Sequence, residues 1–203
     1  MKPLAVIDFE TTGISPEQGA RATEVAIVLL ENGRIVDRFQ SLMNAGVRIP
    51  AFITELTGIS NAMVAAAPAA AEVMRQASRF VGDAPMVAHN ASFDRKFWTG
   101  ELARLGLPAD QPFACTMLLS RRLYPQAPNH KLGTLVDYHG LPRTGAAHRA
   151  LADAEMAAEL LVRIQQDLQR RHHVADVDHG LLMRLQQCQR QGVTALLSRH
   201  ARA

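Results

Sequence analysis

Apolar and polar positions divide the chain into short elements of two kinds. Leu4-Ala5-Val6-Ile7 is an unbroken apolar run, the pattern of a strand buried on both faces, and it leads straight into Asp8-Phe9-Glu10-Thr11-Thr12-Gly13. Alternate side chains of a strand share a face, so Asp8 and Glu10 point one way and Phe9 the other. Residues 14–19 read as a turn-rich loop. Ala22 to Leu30 and Arg34 to Met43 read as strands, and Asn32-Gly33 between them is a hairpin signal, which gives an antiparallel meander. Pro50 opens a short helix through Leu56 that Gly58 closes. Ala70, Val73, Met74, Ala77, Phe80 and Val81 follow helical spacing and predict a helix over 69–81. Met86-Val87-Ala88 is a second short buried strand. After it, His89-Asn90-Ala91-Ser92-Phe93-Asp94 opens a helix that runs to about Leu105. Phe113-Ala114-Cys115 predicts one more strand, and helices follow over 117–123 and 132–139. A long helix over 149–170 carries the stripe Ala150, Ala154, Ala157, Leu161, Ile164 and Leu168. A meander followed by alternating strands and helices implies an α/β fold: a mixed sheet flanked by helices, with right-handed crossovers.

Length and composition narrow this picture. The 203 residues suit one domain with some extra length, here a body over 1–170 and a helical tail over 171–203. Within the tail, Leu181, Leu182, Leu185 and Cys188, then Val193, Leu196 and Leu197, form short amphipathic helices. They could pack on the body, dimerise or bind a partner. Hydrophobic residues make up 48%, enough to bury a core. Cys115 and Cys188 are far apart, with neither a disulfide framework nor zinc spacing, which suits a reducing cytosol. No apolar run approaches a membrane span, and Asp8 interrupts any signal-peptide core after Lys2, so the expected location is cytoplasmic. The net charge of +3 lies wholly in residues 166–203, with six Arg against three Asp. Residues 1–165 balance 16 Lys+Arg against 16 Asp+Glu. The body is therefore no general polyanion binder, and any nucleic acid must be held by bound cations and locally placed arginines.

Three clusters carry candidate chemistry. Asp8 and Glu10 at the end of a buried strand repel each other and are costly to desolvate, so a hard divalent cation would suit them; an exposed strand end with two solvated acids explains the hexapeptide equally well. Asp94 lies in the first turn of a helix, which the helix dipole favours without any further role. His148 and Asp153, five residues apart, would lie roughly 140° apart on a helix and could not share a metal face. Either they are unrelated or His148 sits just before the helix, on a loop that Gly140, Pro142 and Gly145 make mobile. His89 reads as a satisfied histidine at a strand end.

Taken together, Asp-x-Glu-Thr-Thr-Gly at 8–13, Asn-x-x-Phe-Asp at 90–94 and His-x-Ala-x-x-Asp at 148–153 resemble the three motifs of the DEDDh (DnaQ-like) 3′→5′ exonucleases, in the family's order. Glu55-Leu56-Thr57-Gly58-Ile59-Ser60 resembles a segment of the proofreading exonucleases of bacterial replicative polymerases. The resemblance covers roughly residues 3–165. It implies a ribonuclease-H-like five-stranded mixed sheet. It further implies that Asp8, Glu10, Asp94 and Asp153 hold two Mg²⁺ or Mn²⁺ ions and that His148 is the general base. The backbone at Thr11 and Thr12 would receive the terminal 3′ hydroxyl, and Leu56, Thr57, Ile59, Asn90 and Phe93 would surround the last nucleotides. The expected substrate is the single-stranded 3′ end of a nucleic acid, and a DNA polymerase subunit is an expected partner. DNA is favoured over RNA by the 55–60 match. An RNA exonuclease of the same chemistry, or a non-catalytic module on the same fold, are the competing readings. Arg95, Lys96, Arg143 and Arg149 flank the motifs as possible phosphate contacts. With only Trp98, Tyr124 and Tyr138 beyond phenylalanine, a grip on a few terminal nucleotides is expected rather than extended stacking.

Overall fold

Strands β1 (Leu4–Thr11), β2 (Ala22–Glu31), β3 (Arg34–Leu42), β4 (Met86–Ala88) and β5 (Phe113–Cys115) form one sheet in the order β3-β2-β1-β4-β5. The chain is described by a computed structural model over residues 2–143, 145 and 148–201. β1 pairs antiparallel with β2, β2 antiparallel with β3, and β1 and β4 run parallel to their next neighbours, which is the mixed sheet expected from the pattern. Helices α1 (Ala51–Thr57), α2 (Asn61–Ala65), α3 (Ala70–Val81) and α4 (Ala91–Ala103) lie between β3 and β5, with β4 inserted. After β5 come α5 (Thr116–Leu123), α6 (Leu132–His139), α7 (Ala150–Arg171), α8 (His179–Gln187) and α9 (Val193–Ser198).

The alternation of β1 sorts the two cores. Ala5, Ile7 and Phe9 join Val73, Met74, Ala77, Phe97 and Trp98 from α3 and α4 on one face. Leu4 and Val6 join Leu161, Ile164 and Leu168 of α7 on the other. Asp8 and Glu10 continue the second row past the point where apolar packing stops. Next to them the β1–β2 register slips, so that Glu10 pairs with Glu24 but Thr11 with Ala22, an irregularity of the kind that re-aims side chains beside a site.

One element departs from the sequence reading, and the tail takes one of the positions left open for it. Ser60 caps an extra helix, α2, by accepting a hydrogen bond from the Met63 amide; five residues are too few for periodicity to reveal. The stretch after Arg171 is packed on the body: Val174, Val177, Leu181, Leu182, Leu185, Val193 and Leu197 share one apolar cluster with α7. The sheet edge at β5 is covered there by Gln186, whose Oε1 accepts from the Cys115 amide (2.6 Å) while its Nε2 donates to the Phe113 carbonyl (3.1 Å). The mobile loop expected ahead of His148 falls partly outside the described residues, at 144, 146 and 147.

Candidate active site

β1 delivers Asp8 and Glu10 to the carboxyl end of the parallel pair, where the half-buried carboxylates face inward. α4 starts immediately after β4. Asn90 turns the chain with a left-handed φ of 66°, and Asp94, one turn on, is 1% exposed and accepts the Phe9 amide at 3.2 Å. α7 begins at Ala150 with Arg149 as its N-cap residue, so His148 lies outside the helix, with φ 60°. The helical-wheel objection to His148 and Asp153 disappears for that reason. The His148 amide donates to Asp153 Oδ2 at 3.0 Å, and Glu10, His148 and Asp153 each present a ligand atom within 4.8 Å of the others.

The four carboxylates perturb one another. Burial, then Asp94, Asp153, Glu10 and Glu24, hold the Asp8 carboxyl well above the usual range. Burial pushes Glu10 up to about 8, with Asp153 and Glu24 adding to the shift and Arg149 opposing it. Asp94 is also pushed up to about 8, by burial first, despite the Phe9 amide. Burial raises Asp153, against the pull of His148. Among the described residues, no Lys or Arg forms an ion pair with any of the four. Hard oxygen donors, crowded, desolvated and unpaired with Lys or Arg among the described residues, fit divalent cations.

Two clefts meet at these acids. The smaller, about 250 Å³, is lined by Thr11, Ile14, Ile53, Leu56, Thr57 and Phe93 beside Asp8, Glu10, His148 and Asp153. The larger, about 1140 Å³, is lined by Asn90, Met117, Arg121, His130, Lys131 and Arg143 beside Asp8, His148 and Asp153. Thr11, Leu56, Thr57 and Phe93 therefore face one cleft and Asn90 the other. Phe93 also stacks on the core ring of Phe97 at 4.9 Å, so it is both wall and packing. Two expected contacts are displaced. Ile59 is fully buried in a small cluster with Ile49 and Val64, because the chain dives under α1 after the left-handed Gly58, and it faces neither cleft. Thr12 spends its amide on the Arg21 carbonyl (2.9 Å) and its hydroxyl on the Arg21 amide (3.0 Å), closing the 12–21 loop instead of pointing into the cleft. Arg143 is held by Asp137 and Arg149 by Glu24, while Arg95 and Lys96 are exposed. His89 is satisfied as expected: its ring bonds Thr116 and the His130 carbonyl, and burial pushes it down to about 4.

Sequence reasoning passed over Ile14, Arg121, His130 and Lys131. Ile14 is 77% exposed at the mouth of the small cleft, and a large apolar side chain after a glycine turn was the available signal. Arg121 and Lys131 come from α5 and the start of α6, distant in sequence from every motif, and nothing local marks them.

The family model described as Exonuclease matches residues 5–161. The chain is 34% identical over 174 residues to the DNA polymerase III subunit epsilon of Aquifex aeolicus, covering 85% of each. It is 38% identical over 166 residues to the PolC-type DNA polymerase III of Caldanaerobacter subterraneus, covering 82% of this chain but only 12% of that protein. Among solved structures, Exonuclease X in complex with 5′ overhanging duplex DNA superposes with a TM-score of 0.66 at 31% identity, covering 80% of this chain and 91% of that one. With four acids and a histidine converging where the motifs require, the chain belongs to the DEDDh 3′→5′ exonuclease family.

Proposed function

We propose that the protein removes nucleotides one at a time from the 3′ end of a DNA strand, hydrolysing the terminal phosphodiester and releasing nucleoside 5′-monophosphates. The observation that carries this reading is the meeting of Asp8, Glu10 and Asp153 with His148, and of the buried Asp94 behind them, where a small, largely apolar cleft joins a larger one lined by Arg121, Lys131 and Arg143. Asp8, Glu10, Asp94 and Asp153 would hold two ions of the Mg²⁺ or Mn²⁺ class. Such ions, when bound, make water a better nucleophile and stabilise charge on the reacting phosphate. His148 takes the proton of the attacking water as general base, a task suited to an imidazole near neutral pH. His148 is exposed and lines both clefts, so its imidazole is open to the water it would deprotonate.

The small cleft receives the terminal nucleoside. Ile14, Leu56 and Phe93 offer apolar surface to a base, and Thr11 faces the sugar end. Arg121 and Lys131 follow the upstream phosphates along the larger cleft, which fits a body whose charge is otherwise balanced. DNA rather than RNA, a cytoplasmic setting and a polymerase partner are supported by the 55–60 segment and by relatives named as polymerase III proteins. The test is incubation of the purified protein with Mg²⁺ or Mn²⁺ and end-labelled single strands of DNA and RNA. The expected result is mononucleotide release from the 3′ end of DNA, a ladder from the 5′-labelled strand, and arrest by EDTA. Faster degradation of RNA would reverse the substrate assignment, and no cleavage of either strand with either ion would overturn the exonuclease reading.

A further inference from the structure

β2 reads Ala-Thr-Glu-Val-Ala-Ile-Val-Leu-Leu-Glu, and Glu24, its one charge ahead of the terminal Glu31, is completely buried. All four lone-pair positions of this carboxylate are used. Oε1 accepts from Arg149 Nη2 (2.9 Å) and Gln40 Nε2 (2.8 Å), and Oε2 accepts from Arg149 Nε (3.2 Å) and the Ala150 amide (3.2 Å). A buried ion pair rarely stabilises a fold better than well-packed hydrophobes would, so a carboxylate at the centre of an apolar strand needs another reason. Its partners supply one. Arg149 and Ala150 are the cap and first residue of α7, directly after His148, and Glu24 is the register partner of Glu10. His148 is held in the left-handed region, which a non-glycine residue keeps only when its surroundings impose it.

We infer that Glu24 and Arg149 are positioning residues for His148: the bidentate pair ties the start of α7 to the strand opposite Glu10 and so fixes where the imidazole stands relative to the carboxylates. Arg149 acts here on the protein and not on substrate phosphate. Its guanidinium is committed to Glu24 along the fork, a geometry that lysine cannot reproduce. Burial alone would raise the Glu24 carboxyl, but the hydrogen bonds from Arg149, Gln40 and the Ala150 amide hold it below its ordinary value, so the pair stays ionic.

The inference rests on His148 being the base of the proposed exonuclease, and the experiment separates the two. Arg149→Lys and Glu24→Gln are made alone and in a His148→Ala background, with folding followed by thermal melts. Arg149→Lys leaves Glu24 bonded to Gln40 and the Ala150 amide, and serves should Glu24→Gln fail to fold. Each single variant should lower kcat by about 10- to 100-fold with KM within about twofold, and should have less than about a twofold effect once His148 is alanine. The His148 ring resonance, assigned by its loss in His148→Ala, should shift or broaden in both variants without added metal. Raised KM at unchanged kcat would make Arg149 a phosphate contact and overturn the inference, as would equal losses with and without His148. If the wild-type protein cleaves nothing, the exonuclease reading fails. The resonance still decides the positioning, and a His148 signal identical in wild type and variants refutes it.

Discussion

At the scale of single residues, the site is defined by crowded acids that, among the described residues, form no ion pair with Lys or Arg. Asp8, Glu10 and Asp94 keep their protons to higher pH folded than unfolded, Glu10 and Asp94 to about 8. Raised carboxyl values mean the metal-free fold binds more protons than the unfolded chain between about pH 4 and 8. Its stability is therefore intact at the acid end of that window and is lost as pH rises through it. Thermal melts in EDTA should show a lower Tm at pH 8.5 than at pH 5.5, with Mg²⁺ restoring the loss chiefly at the alkaline end. A metal-free Tm that climbs over the same interval would contradict the shared burial of these acids. Asp8→Asn should raise the metal-free Tm at pH 8.5 and remove its response to Mg²⁺, because one of the repelling charges is gone along with a ligand. His148 plays a different part: His148→Ala should cut turnover by about 10²–10⁴ while the melt stays unchanged. A steady-state assay with wild-type rates in the variant would remove the imidazole from the chemistry.

Elements decide which of these residues could be read in advance. The strand ending in Asp8 and Glu10, and the β4–α4 corner that presents Asp94, were legible because each motif sits on one element whose period fixes its direction. His148 was not resolved by period alone, since its placement depends on where α7 starts, and the Glu24–Arg149 clamp that sets that start joins residues 125 apart. Arg121 and Lys131 stayed invisible for a similar reason: only the packing of α5 and α6 beside the sheet end brings them to the cleft. Ile59 was expected beside the last nucleotides only from the resemblance of residues 55–60; past the left-handed Gly58 it is fully buried with Ile49 and Val64 instead. Leu56, 53% exposed on α1 and facing the small cleft, belongs to the opposite case, a large apolar side chain kept in water. Leu56→Ala should leave the fold stable and raise KM for a single strand several-fold, roughly the 1 kcal/mol lost when such a side chain no longer covers a base. Unaltered KM in that variant would move the terminal nucleoside out of the small cleft.

For the whole molecule, the question is what residues 171–203 do for the body that precedes them. The sheet has two edges. β3 is largely solvated and carries Arg34, Asp37 and Arg38, charges of the kind that discourage edge-to-edge pairing. β5 is three buried residues, Phe113, Ala114 and Cys115, with no charge to protect it. α8 supplies the protection: Gln186 imitates a neighbouring strand by bonding the amide of Cys115 and the carbonyl of Phe113, while Leu181, Leu182 and Leu185 close the apolar cluster over α7. β5 in turn feeds α5, whose Thr116 holds His89, and α5 contributes Arg121 to the larger cleft. The C-terminal segment thus supports one wall of the site from behind. Gln186→Leu keeps the volume but strands one amide and one carbonyl, and should cost about 1–3 kcal/mol in urea unfolding without changing KM or metal response in the folded fraction. Truncation after Arg171 exposes the edge together with its apolar cover and should yield an aggregating protein. A truncated chain that stays monomeric and melts like the full one would show that α8 and α9 lie on the body without supporting it.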